Sequence, residues 1–181
     1  MPSAPRKETG QGTVSELRVS GIVEESIVDG PGLRFVVFTQ GCPHNCKGCH
    51  NPETHDPQGG FTLDTEELLK KFGENPLLSG ITFSGGEPFM QPDPLAAMAG
   101  KVKEAGKNVI VYTGSTLEQL AACNDTAIRD LLALTDTLID GPYIESLRDP
   151  DLTFRGSSNQ RILTKDAILA ALHGKEHPSL Q

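Results

Sequence analysis

Three of the chain's four cysteines lie close together in one segment, "GCPHNCKGCH", over residues 41–50. Cys42 and Cys46 are separated by three residues, and Cys46 and Cys49 by two. Disulfides use cysteines in pairs, and a closed structural zinc site uses four ligands, so three thiols suit a site that leaves one position free. Cubic iron–sulfur clusters are held by cysteine thiolates, and three of them would leave the fourth iron open to a small molecule. Three thiols therefore suit either a catalytic metal site of the zinc type or a cubic iron–sulfur cluster, each with one position open to a small molecule.

Two other roles for these thiols stay open at this point. A non-catalytic zinc module would use the three cysteines with His44, His50 or His55 as the fourth ligand. A redox dithiol would use the two-residue spacing between Cys46 and Cys49 and leave Cys42 without a role. The fourth cysteine, Cys123, is predicted to be a small buried core residue.

The elements that must position these residues are predicted to be alternating strands and helices. The strand before the cysteine segment lies in 33–41, and three further strands end in the motifs "SGGEP", "YTGS" and "DGPY". Alternation of this kind is typical of a mostly parallel sheet, in which functional segments follow the carboxyl ends of the strands. Four motifs far apart in sequence are therefore expected along one edge. The three strands that end in these motifs lie within 80–88, 108–114 and 136–143. The other predicted elements are a strand within 17–26, helices within 62–74, 92–106 and 116–135, and a short strand followed by a helix within 160–172.

Chain length limits the architecture to a partial barrel. A closed eight-unit barrel typically needs about 250 residues, whereas this chain has 181. We therefore predict an α/β fold in the form of an open (β/α) barrel with about five or six mostly parallel strands. A disordered N-terminal tail is predicted over 1–16, a single domain over 17–173 and a frayed C-terminal end over 174–181.

Composition excludes some classes of binding partner and indicates the cellular compartment. The net charge is -8, which argues against nucleic-acid binding because that needs a basic surface. No stretch approaches the ~18 apolar residues of a membrane span, and the N-terminus lacks the apolar core of a signal peptide. We expect a cytoplasmic protein, whose clustered cysteines serve metal or redox chemistry.

The motifs resemble those of a known enzyme superfamily. The cysteine spacing, on a loop after the first core strand, is the signature of radical S-adenosylmethionine (SAM) enzymes. The segments "VDGPGLRFVVFTQGC" and "CHNPETHD" are similar to activating enzymes of glycyl radical enzymes. The late segment "LIDGPYIESLRDPDLTFRGSSNQRI", over 138–162, resembles the branch that activates anaerobic ribonucleoside-triphosphate reductase. The similarity extends from about residue 18 to 163.

The resemblance implies the cofactors, the reaction and the partners. A [4Fe–4S] cluster on Cys42, Cys46 and Cys49 would bind SAM at its open iron and, once reduced, cleave it to a 5′-deoxyadenosyl radical. This radical would remove a hydrogen atom from a glycine of the reductase large subunit, so that no side chain acts as acid or base. A flavodoxin-like protein or another low-potential donor would supply the electron. The main alternative within the superfamily is activation of another glycyl radical enzyme, of the formate-lyase type.

Several residues are expected to bind SAM on the strength of this resemblance. In relatives, the glycine turn equivalent to "SGGEP" binds the methionine amino group, and later strand ends line the pocket. Adenine contact is expected from the backbone around Gly48 and from His50, because Gly48 stands where many superfamily members have an aromatic residue. Tyr112 stands where formate-lyase activases tend to have an aspartate, so a cation site is not expected there. The predicted SAM-binding residues are Gly48, Cys49, His50, Ser84, Gly85, Gly86, Glu87, Thr113 and Asp140.

Three further roles follow from the residues around these motifs. Gly41 and Gly48 are expected to let backbone N–H groups approach the cysteine sulfurs. Gly30 and Gly32 are expected to shape the site entrance. A polar cluster is expected to hold the SAM carboxylate or meet the partner, with a solvated loop as the alternative. The cluster comprises Arg155, Ser157, Ser158, Asn159 and Arg161.

Overall fold

The structure is a computed structural model that describes residues 16–174. Apart from Glu16 and Gly174, the terminal tails predicted over 1–16 and 174–181 lie outside the described residues. Glu16 is the first residue of a strand. Between residues 16 and 174, none of the helices has the length and apolar character needed to cross a membrane.

One sheet of seven strands runs through the described chain, in the order β3-β1-β2-β4-β5-β6-β7. The four central strands, β2, β4, β5 and β6, are parallel, while β1, β3 and β7 pair antiparallel at the two sides. The sheet does not close, so the predicted open α/β architecture with a parallel centre is confirmed. The strands are β1 (Glu16–Ser26), β2 (Arg34–Thr39), β3 (Phe61–Asp64), β4 (Gly80–Gly85), β5 (Asn108–Tyr112), β6 (Thr137–Asp140) and β7 (Arg161–Thr164).

The predicted count of five or six strands is wrong because β3 was included in the following helix. β3 has only four residues and none is buried, so it lacks the apolar run that identifies a central strand. Its backbone pairs with β1, for example through Leu63 opposite Leu17. Asp64 then caps helix α1 by accepting a hydrogen bond from the N–H of Glu66. A long-range pairing thus adds a strand where local sequence shows only a helix start.

The remaining helices agree closely with the sequence-based expectation. The segment 116–135 contains two short helices, each capped by a polar side chain: Thr116 begins the first and Asp125 the second. The helix before them ends ahead of Gly106, whose φ of 71° suits glycine beyond a helix end. The helices are α1 (Thr65–Glu74), α2 (Pro92–Glu104), α3 (Leu117–Ala121), α4 (Thr126–Leu134) and α5 (Lys165–Leu172).

The core lies between the helices and one face of the sheet. Alternate residues of the strands, such as Phe35 and Val37 of β2, are fully buried there and pack with apolar residues of the helices, including Met98 and Leu131. This alternation is the period-two pattern of strands. The same pleat sends the intervening residues, such as Arg34, to the opposite face.

The carboxyl ends of the four parallel strands meet at one edge of the sheet, as predicted. Thr39 at the end of β2 pairs with Gly85 at the end of β4, and Tyr112 at the end of β5 pairs with Ile139 of β6. The cysteine segment and the "SGGEP", "YTGS" and "DGPY" motifs therefore leave the sheet on the same side.

The turn containing Gly30 and Gly32 lies at the opposite, amino-terminal edge. Leu33, just before β2, accepts a hydrogen bond of 2.8 Å from the N–H of Ser79, just before β4. The adjacent Arg34 is fully buried and donates to Thr82 Oγ1 at 3.0 Å, and burial lowers its pKa to about 10. The expectation that these two glycines shape the site entrance is therefore wrong, because a turn that precedes a parallel strand lies at the far end from the segment that follows it.

Candidate active site

The cysteine loop, residues 41–50, is held at its beginning and its end by backbone hydrogen bonds. The N–H of Gly41 donates to the carbonyl of Thr54 at 2.8 Å, and that of Cys42 to the carbonyl of His55 at 3.2 Å. The N–H of Cys49 donates to the carbonyl of Cys46 at 3.1 Å, which forms a tight turn between the second and third cysteines. All three cysteines of the loop are half-buried free thiols.

Backbone N–H groups approach two of the cysteine sulfurs. The N–H of Asn51 donates to Cys49 Sγ at 3.4 Å. Burial raises the pKa of the Cys42 thiol, and a hydrogen bond from the backbone of His44 acts in the opposite direction. The N–H of Gly41 itself donates to the carbonyl of Thr54. Hydrogen bonds of this kind stabilise thiolates and tune the potential of a cluster.

Gly48 has a different structural role. Its φ is 72°, and a Cβ at this position would lie 2.8 Å from the carboxylate Oε1 of Glu145. Glycine is therefore needed both for the left-handed backbone and for close contact with the chain that lies over the loop.

The donor set on the loop is three thiols, with two of the candidate histidines engaged elsewhere. His44 is hydrogen-bonded to Glu87, and the ring of His50 packs on that of Tyr143 with centroids 4.9 Å apart. The Nε2 atom of His55 is buried without a partner. Thiolates are the ligands that iron–sulfur clusters use, so the chemistry of the donors fits a [4Fe–4S] cluster.

The "SGGEP" turn packs directly against the start of the cysteine loop. The N–H of Gly86 donates to the carbonyl of Thr39 at 2.8 Å, and the N–H of Glu87 to that of Gly41, also at 2.8 Å. A Cβ at Gly85, where φ is 95°, would lie 2.6 Å from the backbone nitrogen of Thr39, and one at Gly86 would lie 2.3 Å from the carbonyl oxygen of Gly41. Glycine at both positions allows the two strand ends to approach backbone to backbone, so the turn has a fixed place beside the thiols.

Glu87 joins three segments of the site through a buried carboxylate. Its Oε2 accepts hydrogen bonds from Thr113 Oγ1 at 2.9 Å and from the N–H of Gly114 at 3.0 Å, and lies 2.6 Å from His44 Nε2. Its Oε1 accepts from the N–H of Phe89 at 3.0 Å. The hydrogen bond with this carboxylate raises the pKa of His44. Both Glu87 and Thr113 are almost fully buried, so they build the frame of the site.

Asp140, the predicted SAM contact at the end of β6, is instead part of a buried ion pair. Its side chain is fully buried, accepts a hydrogen bond from the N–H of Leu117 at 2.7 Å and receives Nε of Arg161 at 2.9 Å. Arg161 also donates to the exposed carboxylate of Glu118. The Asp140 carboxylate thus binds protein groups that lie far apart in sequence, and its place in the SAM pocket stays a prediction.

Sequence reasoning missed how the segment 141–160 lies over the cysteine loop. Tyr143 packs on His50, and Glu145 Oε2 lies 3.2 Å from Lys47 Nζ. A Cβ at Gly156 would lie 3.1 Å from the ring of Tyr143 and 3.5 Å from that of His50. The sequence feature that could have indicated this contact is Tyr143, the aromatic residue that follows "DGP". Nothing in the neighbouring residues indicates that its ring packs on His50.

The polar cluster in this segment is held together mainly by Gln160, which the sequence analysis did not single out. Its Oε1 accepts from the N–H groups of Gly156 at 2.8 Å and Ser157 at 3.2 Å, and its Nε2 donates to the carbonyl of Gly141 at 3.1 Å. Ser157 is buried, and its hydroxyl accepts from the N–H of Ile144. Internal hydrogen bonds thus account for much of the cluster's polarity. Two buried atoms have no partner among the described residues, namely Nε of Arg155 and Oδ1 of Asn159.

Comparison with known proteins agrees with this site. A family described as "4Fe-4S single cluster domain" matches residues 28–163. The anaerobic ribonucleoside-triphosphate reductase-activating protein of Salmonella typhi is 37% identical over 142 residues, which are 74% of this chain and 90% of that protein. The protein of the same name from Vibrio cholerae is 35% identical over 145 residues, covering 75% of this chain and 90% of that protein.

Two further proteins differ more from this chain, the first in length and the second in sequence. The pyruvate formate-lyase-activating enzyme of Clostridium pasteurianum is 38% identical over 128 residues, which are 66% of this chain but only 54% of that enzyme. The crystal structure of QueE from Escherichia coli matches 86% of this chain and 67% of that chain, with a TM-score of 0.49 and 14% identity.

The open α/β sheet, the thiol loop at its carboxyl edge and the family match define a radical SAM protein with a single [4Fe–4S] cluster. The predicted cofactors, the cluster and SAM, are thereby confirmed. Because the match extends over 90% of the length of the relatives, the chain belongs to the family of anaerobic ribonucleoside-triphosphate reductase-activating proteins.

Proposed function

We propose that this protein generates a glycyl radical on the large subunit of anaerobic ribonucleoside-triphosphate reductase. Family membership supports the reductase as the partner. The observation that carries the proposal is the convergence of the cysteine loop, the glycine turn and the end of β5, which are joined by hydrogen bonds through Gly41, Thr39 and Glu87. Reaction at one open iron needs this kind of fixed geometry between the cluster and its ligand.

In this proposal Cys42, Cys46 and Cys49 hold three irons of the cluster. When bound and reduced, the cluster would supply the one-electron chemistry that cleaves SAM and activates the partner's glycine. The chain's own residues would bind and orient these groups. The backbone of Ser84 to Gly86 would bind the methionine end of SAM, and the backbone at Gly48 together with His50 would contact the adenine.

Glu87 and Thr113 have an indirect role in this arrangement. Their polar atoms bind each other and the backbone of Gly114, so they hold the glycine turn and the end of β5 in a fixed relation. Tyr143 packs on the ring of His50 from the side of the overlying segment.

The setting of the reaction is part of the proposal. The cluster must be a strong reductant, near the low end of the roughly −700 to +450 mV range of such centres, so the donor is a flavodoxin-like or comparable low-potential protein. Four free thiols suit the reducing cytoplasm. A single domain over 17–173 is supported by the one sheet to which all seven strands belong.

The test is anaerobic mixing of the reconstituted protein with the reductase, SAM and a reductant, followed by electron paramagnetic resonance. We expect a doublet from a glycyl radical on the reductase large subunit, and none with Cys46→Ala. A parallel reaction with pyruvate formate-lyase tests the alternative substrate, and a doublet there alone would show that the partner is assigned wrongly. A colourless protein that binds one zinc and no iron would contradict the radical chemistry itself.

A further inference from the structure

The middle of the cysteine loop has a side-chain anchor of its own. His44 lies two residues from both Cys42 and Cys46, and its Nε2 is 2.6 Å from Glu87 Oε2. The His44 side chain is 23% exposed and that of Glu87 only 4%, so the contact is shielded from solvent. A charge-assisted hydrogen bond in such a place is stronger than one at the surface.

The carboxylate that receives His44 is held in place by groups other than the histidine. The hydroxyl of Thr113 and the N–H of Gly114 bind the same oxygen, and the N–H of Phe89 binds the other. These donors belong to the end of β5 and to the turn after β4. Loss of the imidazole would remove only one of the four hydrogen bonds of the Glu87 carboxylate. Glu87 therefore presents a fixed acceptor to the loop.

Gly114 provides the surface on which the imidazole lies. A Cβ at this position would be 2.4 to 2.8 Å from three atoms of the His44 ring, and these are its nearest contacts outside the adjacent chain. The backbone here does not have positive φ, so glycine is needed for space and not for conformation. The ring thus fits between the backbone of the β5 end and the buried carboxylate.

We propose that His44 is a positioning residue that sets the place of the Cys42 and Cys46 thiolates relative to the SAM-binding turn. This inference rests on the proposed function, because it assigns the two thiols to the cluster. The other backbone bonds of the loop act at its entry, 41–42, and within its exit turn, 46–49. Loss of the His44 contact would leave residues 43–45, which join Cys42 to Cys46, without a fixed reference to β4 and β5.

The first test is made on the full-length protein after anaerobic cluster assembly. We expect His44→Ala to take up iron and sulfide but to lose the cluster to a chelator about 10-fold faster or more, as is typical when an outer-shell partner of a metal ligand is removed. The change that SAM causes in the electron paramagnetic resonance spectrum of the reduced cluster should become smaller. His44→Gln retains a donor nitrogen at a similar distance from the backbone and should recover at least part of both signals.

The second test approaches the same contact from the opposite side. Gly114→Ala should displace the imidazole and reproduce the effect of His44→Ala, whereas the double variant should be no worse than His44→Ala alone because the space is then free. Lys47→Ala, which changes a side chain of the same loop that is 91% exposed, is the matched control and should behave as the parent protein. Hydrogen exchange of cluster-free protein adds a reading that does not depend on iron: exchange in 42–46 should rise in both single variants.

The outcomes separate this inference from the proposed function. If the parent protein assembles no [4Fe–4S] cluster, the proposed function fails and the inference fails with it. If the parent assembles the cluster and His44→Ala matches it in chelator resistance, spectrum and hydrogen exchange, only the positioning role is refuted. Additive losses in the double variant would also refute it, because they would mean that the imidazole and Gly114 act independently.

Discussion

Arg161 binds two carboxylates that differ in burial, and this difference predicts unequal consequences of their removal. Asp140 has a side chain with 0% exposure, whereas the side chains of Arg161 and Glu118 are 42% and 66% exposed. Arg161 Nε donates to Asp140 at 2.9 Å, and its terminal nitrogens donate to Glu118 at 2.8 and 3.0 Å. We expect Arg161→Ala to destabilise the protein strongly and Glu118→Ala to have little effect.

The expected loss of stability depends on whether the truncation leaves a buried charge without its partner. Removing one partner of a buried ion pair typically costs about 3–5 kcal/mol, since it leaves an uncompensated charge. After Arg161→Ala, Asp140 keeps the N–H of Leu117, and water can enter where the half-exposed guanidinium was. We therefore expect the lower end of the range, about 3 kcal/mol. Exposed pairs contribute about 0–1 kcal/mol, which sets the expectation for Glu118→Ala.

The assay is urea unfolding of the cluster-free protein at neutral pH under anaerobic, reducing conditions. With a slope of about 2 kcal/mol per M, which is typical of small proteins, Arg161→Ala should lower the midpoint by about 1.5 M. Adding Asp140→Asn to this variant removes the buried charge and should restore part of the loss. Equal midpoints for Arg161→Ala and Glu118→Ala would refute the reasoning. So would an unchanged midpoint for Arg161→Ala accompanied by a large loss of SAM affinity, because Arg161 would then act on the ligand and not on the fold.

Other consequences can be measured in the same preparations. Gly85→Ala should lower the free energy of unfolding by about 2–5 kcal/mol, the sum of positive-φ strain and a backbone clash, and should weaken SAM binding. Gly100→Ala, at a position with open space around it, is the control and should be neutral or stabilising in urea unfolding. Cys46→Ala should abolish cluster assembly, measured as iron per chain, while Cys123→Ala retains the cluster; iron in the first variant near the parent level would show that the ligands are assigned wrongly. The guanidinium of Arg161 lowers the pKa of Glu118 from 4.5 to about 2, so this pair contributes stability above about pH 4.5 that is lost as the pH falls towards 2. Glu118→Gln should remove that part of the acid sensitivity, and an unchanged acid unfolding curve would contradict the assignment.

Much of the fold could be predicted because its signals are local. Apolar runs identified the central strands, and the helix predicted within 62–74 begins after the cap Asp64, close to its expected position. The element that was missed, β3, has no such signal and exists through pairing with β1. The antiparallel direction of β7 was likewise not visible, because direction depends on where the chain returns to the sheet.

In the candidate site, too, some features could be predicted from local sequence and others could not. The cysteine spacing and the glycine turn could be recognised because chemistry requires those residue types in that order. The contacts between them could not, since Glu87 and His44 are 43 residues apart and Tyr143 is further still from His50. The contacts of the polar cluster could not be predicted for the same reason: the hydrogen bonds of Gln160 and Arg161 appear only once their partners are placed.

The chemistry of this protein is visible in its local sequence: three thiols lie on a loop after a strand, a glycine turn follows the next strand, and strand–helix alternation brings both to one edge. Tertiary structure alone decided which polar side chains at that edge serve the fold and which remain beside the thiols. Asp140 and Glu87 have similar carboxylates after similar strands, yet one is paired with Arg161 and the other links the cysteine loop to β5. The reason is physical: a buried carboxylate must find hydrogen-bond donors, and which donors are within reach depends on segments that are distant in sequence.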